Sequence, residues 1–566
     1  MSAAGLETDI ARLIWAQRYR HGGSAEPDVG ATWRRVATAL AQAEPRERGE
    51  WATRFLAALR DFRFLPGGRI LAGAGTPRRV TLLNCFVMGG IEDSIPGIFR
   101  ALQEGAVTMQ EGGGVGYDFS TLRPRGMAAS IAGNVASGPV SFMAVWDAMC
   151  ATIQSTGARR GAMMAVLRCD HPDLEAFIAA KQQPGVLSHF NLSVLVTDDF
   201  IRAVDAAAPW TLRFPAAPPH RLERVVDAAS LWERMLRASF ATGEPGALFI
   251  DQINRMNNLA YCEEISAVNP CGEVPLPHYG GCDLGSLNLA AFIRDPFTPQ
   301  ARLDRAALLA AVPTAIRMLD NVLDVTHAPL PAQAAELRAK RRVGLGVTGL
   351  ANALIMLGLD YGAEAARAWA GEVMREICHA AYRASAALGA EKGAFPAFAR
   401  DAYLAAPFIR ALPAEIRDAI AAHGIRNSHL LAIAPTGTIS LLAGNVSSGI
   451  EPVFAAEAER TILGPLGAPQ RVLVTDHAVR LWRAARGGGL PPAFTTAAAL
   501  PAAAHLGMQA ALQAHVDQSI AKTINLPADA GFADFAGVYR QAHALGLKGC
   551  TVFRDLPERG VLSARD

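Results

Sequence analysis

Three kinds of reactive side chain fall close together in Ser266-Ala-Val-Asn-Pro-Cys-Gly-Glu-Val-Pro275. Asn269, Cys271 and Glu273 alternate with Pro270 and Gly272, so in an extended loop the two-residue period would aim all three to one side. A thiol, a carboxylate and an amide sharing a small volume suit chemistry on a diol. The sulfur can take a hydrogen, the carboxylate a hydroxyl proton, and the amide can hold an oxygen. By the same rules an isolated Asn-Pro-Cys-Gly-Glu is a Pro/Gly turn with its polar side chains in solvent. The surroundings must decide between these readings, and they begin with a second run, Gly280-Gly-Cys-Asp-Leu-Gly-Ser-Leu-Asn-Leu289, which carries another thiol at Cys282.

Other stretches could also carry chemistry. His429-Leu-Leu-Ala-Ile-Ala434 reads as a buried strand that delivers Pro435-Thr-Gly-Thr-Ile-Ser440. There, backbone N–H groups and hydroxyls could cradle phosphate oxygens, although a Thr/Gly turn is commonly only a turn. Gly344-Leu-Gly-Val-Thr-Gly349 fits GxGxxG but follows Glu336-Leu-Arg-Ala-Lys-Arg-Arg342 rather than a strand. It therefore reads as a Gly-rich turn packing a helix closely. Cys169-Asp-His-Pro-Asp173 reads as a helix start with Asp170 or Asp173 near the N-terminus, and no metal is expected there. Eight cysteines in so long a chain do not make a disulfide framework, and with no CxxC pair among them a zinc ribbon is not expected. Each cysteine is by default a small buried hydrophobe.

The elements that must position these residues follow from periodicity. Residues 1–65 place Ile10, Leu13, Ile14, Trp33, Val36 and Leu40 at helical spacing and end at Leu65-Pro66-Gly67-Gly68, which predicts a small helical region. Beyond it, β-rich runs (81–88, 192–196, 429–434) alternate with amphipathic helices (231–240, 306–322, 363–388), the pattern of an α/β fold with mainly parallel strands. With no Gly/Ser linker and no long repeat, residues 66–566 read as one catalytic unit; the Ala/Pro/Gly-rich segment 465–504 reads as surface elaboration. The chain is 51% hydrophobic and 19% charged, as a globular enzyme requires. Its net charge of +2 provides no excess to neutralise a nucleic-acid backbone. Early charges at Glu7, Asp9, Arg12 and Arg18 break any secretory core, and the weakly charged stretch 430–446 is interrupted by Pro435, Gly437 and Gly444. The expected compartment is the cytoplasm, with no membrane segment.

Asn269-Pro-Cys-Gly-Glu273 and Gly281-Cys-Asp-Leu-Gly-Ser-Leu-Asn-Leu289 resemble the finger loop of ribonucleotide reductases, especially the class II enzymes. Similar blocks follow in order: Phe64-Leu-Pro-Gly-Gly-Arg-Ile70, Leu83-Asn-Cys-Phe86, Gly112-Gly-Gly-Val-Gly-Tyr-Asp-Phe-Ser-Thr-Leu-Arg123, Ser137-Gly-Pro-Val-Ser-Phe142, Ala158-Arg-Arg-Gly161, Val343–Leu350 and Pro435–Ser440. The resemblance covers roughly residues 60–555. It implies a ten-stranded α/β barrel with a central finger loop, preceded by the small helical region. It also implies that Cys271 is the thiyl residue abstracting the 3′-hydrogen of a ribonucleotide, that Glu273 is the base on the 3′-hydroxyl, and that Asn269 holds the sugar. Cys85 and Cys282 match the reducing pair that ends as a disulfide. Asn84, Ser120 and the loop Pro435, Thr436, Gly437, Thr438, Ile439 match substrate contacts. Asp93, Ser94 and Arg160 match positions that bind an allosteric deoxynucleotide or ATP. Read by themselves, Asp93 is a helix cap and Arg159-Arg160 a solvated pair.

The resemblance also separates the ways a radical can reach the cysteine. Class I enzymes relay it through a C-terminal tyrosine pair, and Thr551-Val552 stand at the matching place in Leu547-Lys-Gly-Cys-Thr-Val-Phe-Arg554. Class III enzymes need a C-terminal glycine motif, which Glu558–Asp566 lacks, and do not use the loop glutamate. Class II remains, with adenosylcobalamin as radical source. Alternatives are a class I-type catalytic subunit that needs a separate metal-bearing radical subunit, and an inactive nucleotide-binding regulatory homologue. No ATP-cone-like block precedes residue 60, and Cys550 stands alone near the end where class II enzymes commonly carry a cysteine pair. The expected partners are thus a ribonucleotide, an effector nucleotide, a thioredoxin-like dithiol or separate cysteine-bearing chain, and possible self-pairing as a homodimer.

Overall fold

The computed structural model describes residues 6–22, 25–127, 135–153, 162–215, 222–463, 469–554 and 562–564. Arg160 and the tail at 555–561 lie outside the described residues.

The helical region forms as its spacing dictates. Thr8 caps α1 (Asp9–Ile14) and Asp28 caps α2 (Val29–Ala41), each side chain accepting a first-turn N–H. Helix α2 buries Trp33, Val36 and Leu40, and α3 (Arg48–Leu59) packs beside it. Glu44, 1% exposed, fastens this region to the rest: its carboxylate takes Arg317 Nη1 at 2.8 Å, Asn321 Nδ2 at 2.8 Å and Lys392 Nζ at 3.0 Å. Arg317 and Asn321 belong to α4 (Arg305–Val325), which is long and apolar enough to cross a membrane but lies in the core with Arg317, Asp320 and Asn321 buried along it.

The chain then builds a barrel from two parallel halves. In the first half, β1 (Cys85–Val87), β2 (Gly114–Asp118), β3 (Met163–Arg168), β4 (Phe190–Val196) and β5 (Gly246–Phe249) lie side by side and parallel. In the second half, β6 (Gly281–Asn288) pairs parallel with β7 (Val343–Thr348), and β8 (Thr523–Leu526) with β9 (Gly549–Arg554). Segment 429–433 bridges β7 to segment 518–521 by hydrogen bonds from Leu345 N to Leu430 O and from Ala521 N to Ile433 O, and so links β7 to β8. The halves meet antiparallel at two seams, β6 against β1 and β9 against β5. The strand predicted at 429–434 is thus present as single parallel bridges rather than a continuous ladder.

Side-chain alternation sorts the core. Met163, Ala165 and Leu167 of β3 face an outer cluster with the helices, while Met164 and Val166 face an inner cluster with Val87, Leu248, Cys85 and Cys282. The same inner cluster holds Ala267, Val268, Val274 and Leu276, so the barrel lumen is filled by a hairpin.

One expectation is corrected. Gly344–Gly349 is not a turn: Val343–Thr348 is barrel strand β7, and its glycines answer a packing need. A Cβ on Gly346 would stand 2.4 Å from Ala432 O, so the neighbouring segment approaches only over bare backbone. Within segment 465–504, read as surface elaboration, Pro469–Thr475 pairs with Glu457–Leu463 and helix His477–Arg486 follows, and most of its described residues are exposed or half-buried.

Candidate active site

The hairpin in the lumen is the 266–275 stretch. Ala267–Val268 pairs antiparallel with Pro275–Leu276, and Cys271 stands at the tip. The tip is a tight turn rather than an extended loop: Gly272 N donates to Asn269 O at 3.0 Å, and Gly272 has φ +83°. The two-residue alternation expected from sequence therefore does not apply, and the three side chains take different surroundings. Cys271 is exposed, while Asn269 (0%) and Glu273 (2%) are buried. The tip is held from both halves of the barrel, by Asn191 Nδ2 donating to Pro270 O at 2.8 Å and by Ser519 N donating to Glu273 O at 3.0 Å. Sequence reading missed both anchors; neither lies in a local motif.

The reactive groups converge through Cys85. Asn269 Oδ1 accepts from Val274 N at 2.9 Å, which fixes the amide, and Asn269 Nδ2 then donates to Cys85 Sγ at 3.0 Å. Cys85 Sγ lies 3.8 Å from Glu273 Oε1, and Cys271 is near enough to act on its charge. Cys85 and Cys282 are direct partners across the β1/β6 seam. Antiparallel partners have Cα atoms about 4.5–5.5 Å apart, inside the range of about 4.4–6.8 Å that a disulfide needs. Both are free thiols in the structure. Burial, reinforced by the Glu273 charge at Cys85 and by Asp283 at Cys282, pushes both thiols well above their ordinary pKa, so they are held protonated.

The remaining sequence-predicted positions separate. Asn84 precedes Cys85 and lies against Gly67; its Oδ1 is buried with no hydrogen-bond partner among the described residues. Thr436 is tied into the fold through Thr348 Oγ1 at 2.7 Å and Gly449 N at 3.2 Å, and Ile439 is buried. Pro435 and Gly437 are exposed, Thr438 is half-buried, and a side chain at Gly437 would meet nothing within 4 Å. Ser120 is not brought to the finger tip. It lies beyond the far end of β2 from Gly114, which touches Pro270, and its hydroxyl accepts from Arg168 N at 2.8 Å. Near it, Asp93 does not cap the following helix; Ser94 does, accepting from Gly97 N at 3.1 Å. Asp93 instead takes Arg123 Nε at 2.7 Å. Asp173 stands at the start of helix Leu174–Ala179, but its carboxylate accepts from Arg125 N rather than capping that helix.

Cys271 also opens on a cavity of about 470 Å³ whose wall includes Asn191, Gly246, Pro435, Ser519, Thr551 and Val552. Cys85, Cys282, Asn269 and Glu273 do not line it, so Cys271 is the group shared by this cavity and the thiol cluster. The volume suits a small ligand such as a nucleoside. Thr551 and Val552 offer no oxidisable ring on that wall.

Residues 83–553 match the family described as ribonucleotide reductase, barrel domain, and residues 6–79 the one described as ribonucleotide reductase, all-alpha domain. Over 539 residues the chain is 41% identical to a vitamin B12-dependent ribonucleoside-diphosphate reductase of Mycobacterium tuberculosis, a match covering 92% of this chain and 74% of that protein. A protein of the same name from Thermoplasma acidophilum is 36% identical over 533 residues, covering 91% of this chain and 66% of that protein. A ribonucleoside-diphosphate reductase subunit alpha of Chlamydia pneumoniae is 28% identical over 489 residues, covering 77% of this chain and 46% of that protein.

Proposed function

The chain belongs to the ribonucleotide reductase family, and from that premise we propose that it reduces ribonucleotides to 2′-deoxyribonucleotides for DNA synthesis with adenosylcobalamin as its cofactor. One observation carries the reading: Asn269 and Glu273 both reach Cys85, the direct cross-strand partner of Cys282, beneath a finger tip whose cysteine opens on a nucleoside-sized cavity. The cavity supports adenosylcobalamin because Thr551 and Val552 stand where a tyrosine relay would be needed, and the space beside Cys271 suits an adenosyl group. When bound, that cofactor supplies a 5′-deoxyadenosyl radical by homolysis.

The chain's own residues then divide the work. Cys271 removes the 3′-hydrogen as a thiyl, and Glu273 accepts the 3′-hydroxyl proton, which lowers the cost of losing the adjacent C2′–O bond. Asn269 is clamped by Val274 N and orients both Cys85 and the sugar. Cys85 and Cys282 together give two protons and two electrons: the 2′-oxygen leaves as water, C2′ gains hydrogen, and the sulfurs join as a disulfide. Protonated, buried thiols are the form this step consumes. A dithiol reductant must reopen the disulfide. Asn84 and the open backbone at Gly437 are the proposed phosphate-side contacts, joined by Pro435, Thr436, Thr438 and Ile439 from the matching loop. Ser120, placed away from the tip, is left out of that set.

Effector binding is proposed around Asp93 and Ser94, at the start of helix Ile95–Gln110. Ile95 (59%) and Phe99 (50%) on that helix and Val145 (37%) on helix Pro139–Thr152 are exposed, an apolar face that supports pairing with a second copy.

The test is anaerobic deoxynucleotide formation from the four ribonucleotides with a small dithiol, with and without adenosylcobalamin. Product is expected only with the cofactor. Cys271→Ala is expected to abolish it while nucleotide binding persists; multiple turnover in that variant refutes the assignment.

A further inference from the structure

The cavity beside Cys271 carries two carboxylates, and each is backed by a lysine. Glu451 is 27% exposed in its side chain; its Oε2 takes Lys522 Nζ at 2.5 Å and its Oε1 takes Thr523 N at 2.8 Å. Lys522 is fully buried in its side chain and also donates to His505 Nδ1 at 3.0 Å and Thr523 O at 2.9 Å. Its geometry is fixed from behind. Glu244, from the other half of the barrel, pairs with Lys181 Nζ at 2.5 Å, and Lys181 donates to Phe190 O at 2.6 Å. Both carboxylates line the cavity, one from each half of the barrel.

This charge pattern selects the ligand. A carboxylate oxygen has two acceptor positions, so an ion pair on one side leaves acceptor capacity toward the space. The part of the wall around these carboxylates disfavours a phosphate, which would meet two anions already paired with lysines. It favours an uncharged molecule rich in donors. An adenosyl group is one, with a ribose diol and an exocyclic amine. Its reactive 5′-carbon must approach Cys271, which puts the ribose on the wall nearest the finger. Ser519, which holds Glu273 O, is on that wall, and Glu451 reaches the same lining through Lys522 and Thr523, which follow Ser519 in the chain.

We propose, on the reading that adenosylcobalamin is the cofactor, that Glu451, held by Lys522, accepts the ribose hydroxyls of its adenosyl group, and that Glu244, held by Lys181, accepts the exocyclic amine. The lysines are positioning residues that aim the carboxylates. Each contact is a charge-assisted hydrogen bond, and losing one is expected to cost about tenfold in affinity.

The probe is 5′-deoxyadenosine, titrated calorimetrically into the full chain with cob(II)alamin present. It is compared with 2′,5′-dideoxyadenosine, which lacks one hydroxyl, and 5′-deoxyinosine, which lacks the amine. Wild type is expected to prefer 5′-deoxyadenosine about tenfold over each analogue. Glu451→Gln should erase the preference against the dideoxy compound only, and Glu244→Gln the preference against the inosine only. The analogue series on unaltered protein needs no variant to fold. A wild type with no preference, or variants that retain it, overturns the proposal. Cobalamin-dependent turnover measured on the same wild-type preparation separates that outcome from failure of the cofactor reading.

Discussion

Replacing Gly116 by alanine, a change of one methyl group distant from any reacting atom, should stop the reaction. Gly116 lies in β2 where the finger hairpin crosses the barrel, and a Cβ there would stand 1.9 Å from Val268 O and 3.0 Å from Val268 C. Contacts below 3.0 Å are not tolerated, so either β2 or the hairpin must give by at least about 1 Å. The strand is buried among parallel neighbours on both sides, whereas the hairpin is a two-residue ladder with a turn at its end, and so the hairpin is expected to yield. Val268 directly precedes Asn269, and a shift there separates Asn269 Nδ2 from Cys85 and moves Cys271. Misplacing reacting groups by about 1 Å costs on the order of 100-fold in rate. Deoxynucleotide formation under saturating substrate and adenosylcobalamin should therefore fall by at least about 100-fold, with far-ultraviolet circular dichroism unchanged. Gly537→Ala, where a Cβ would meet nothing within 4 Å, is the control and should keep full activity. A Gly116→Ala enzyme within about threefold of wild type would refute the placement of the finger.

Cys85→Ser and Cys282→Ser should each lose sustained turnover while cobalamin homolysis, followed by visible absorbance, persists; retained multiple turnover in either would break the pairing. Arg317→Met leaves Glu44 buried with a cation missing and should lower stability by about 3 kcal/mol in urea unfolding, with a shift under about 0.5 kcal/mol counting against the buried cluster. His505 is depressed to about 3, first by burial and then by Lys522, so the unfolded chain, titrating near 6.5, takes up the proton first. Its contribution to stability is therefore complete above 6.5 and is lost as pH falls toward 3, by about 1.4 kcal/mol per pH unit. His505→Gln should flatten the dependence of the urea midpoint between about pH 4 and 6, and an unchanged slope would exclude His505 as its source.

The alternation of elements was readable because periodicity is local: α2 buries Trp33, Val36 and Leu40 as their spacing requires. The reactive residues were readable by type, but their convergence was not. Asn269 and Glu273 meet Cys85 because a turn with a left-handed glycine folds the tip, whereas the two-residue alternation that first grouped them belongs to extended chain. Gly344–Gly349 misled for a related reason. Glycines that admit a neighbouring strand look, in a single sequence, like glycines that make a turn. Asn191, Ser519, Glu244 and Glu451 had no motif to announce them. Their roles come from which strand ends the barrel brings to one place, and that information is held in non-local pairing.

Two antiparallel seams explain why the site is assembled from such distant residues. Strands within each half are parallel and joined by crossovers. Where the halves meet, the partners are antiparallel, and there residues from separate parts of the chain become immediate neighbours. One seam sets Cys85 opposite Cys282, and the other sets Cys550 opposite Ala247, with Thr551 against Gly246 on the cavity wall. The finger occupies the lumen and is anchored to β4 by Asn191 and to the other half by Ser519. Cys271 is thus shared by the buried thiol pair, proposed as reductant, and by the cavity proposed for the radical source. On that proposal, such a division would keep a reactive cofactor fragment away from two oxidisable thiols that do not line its cavity, with both in reach of a single sulfur.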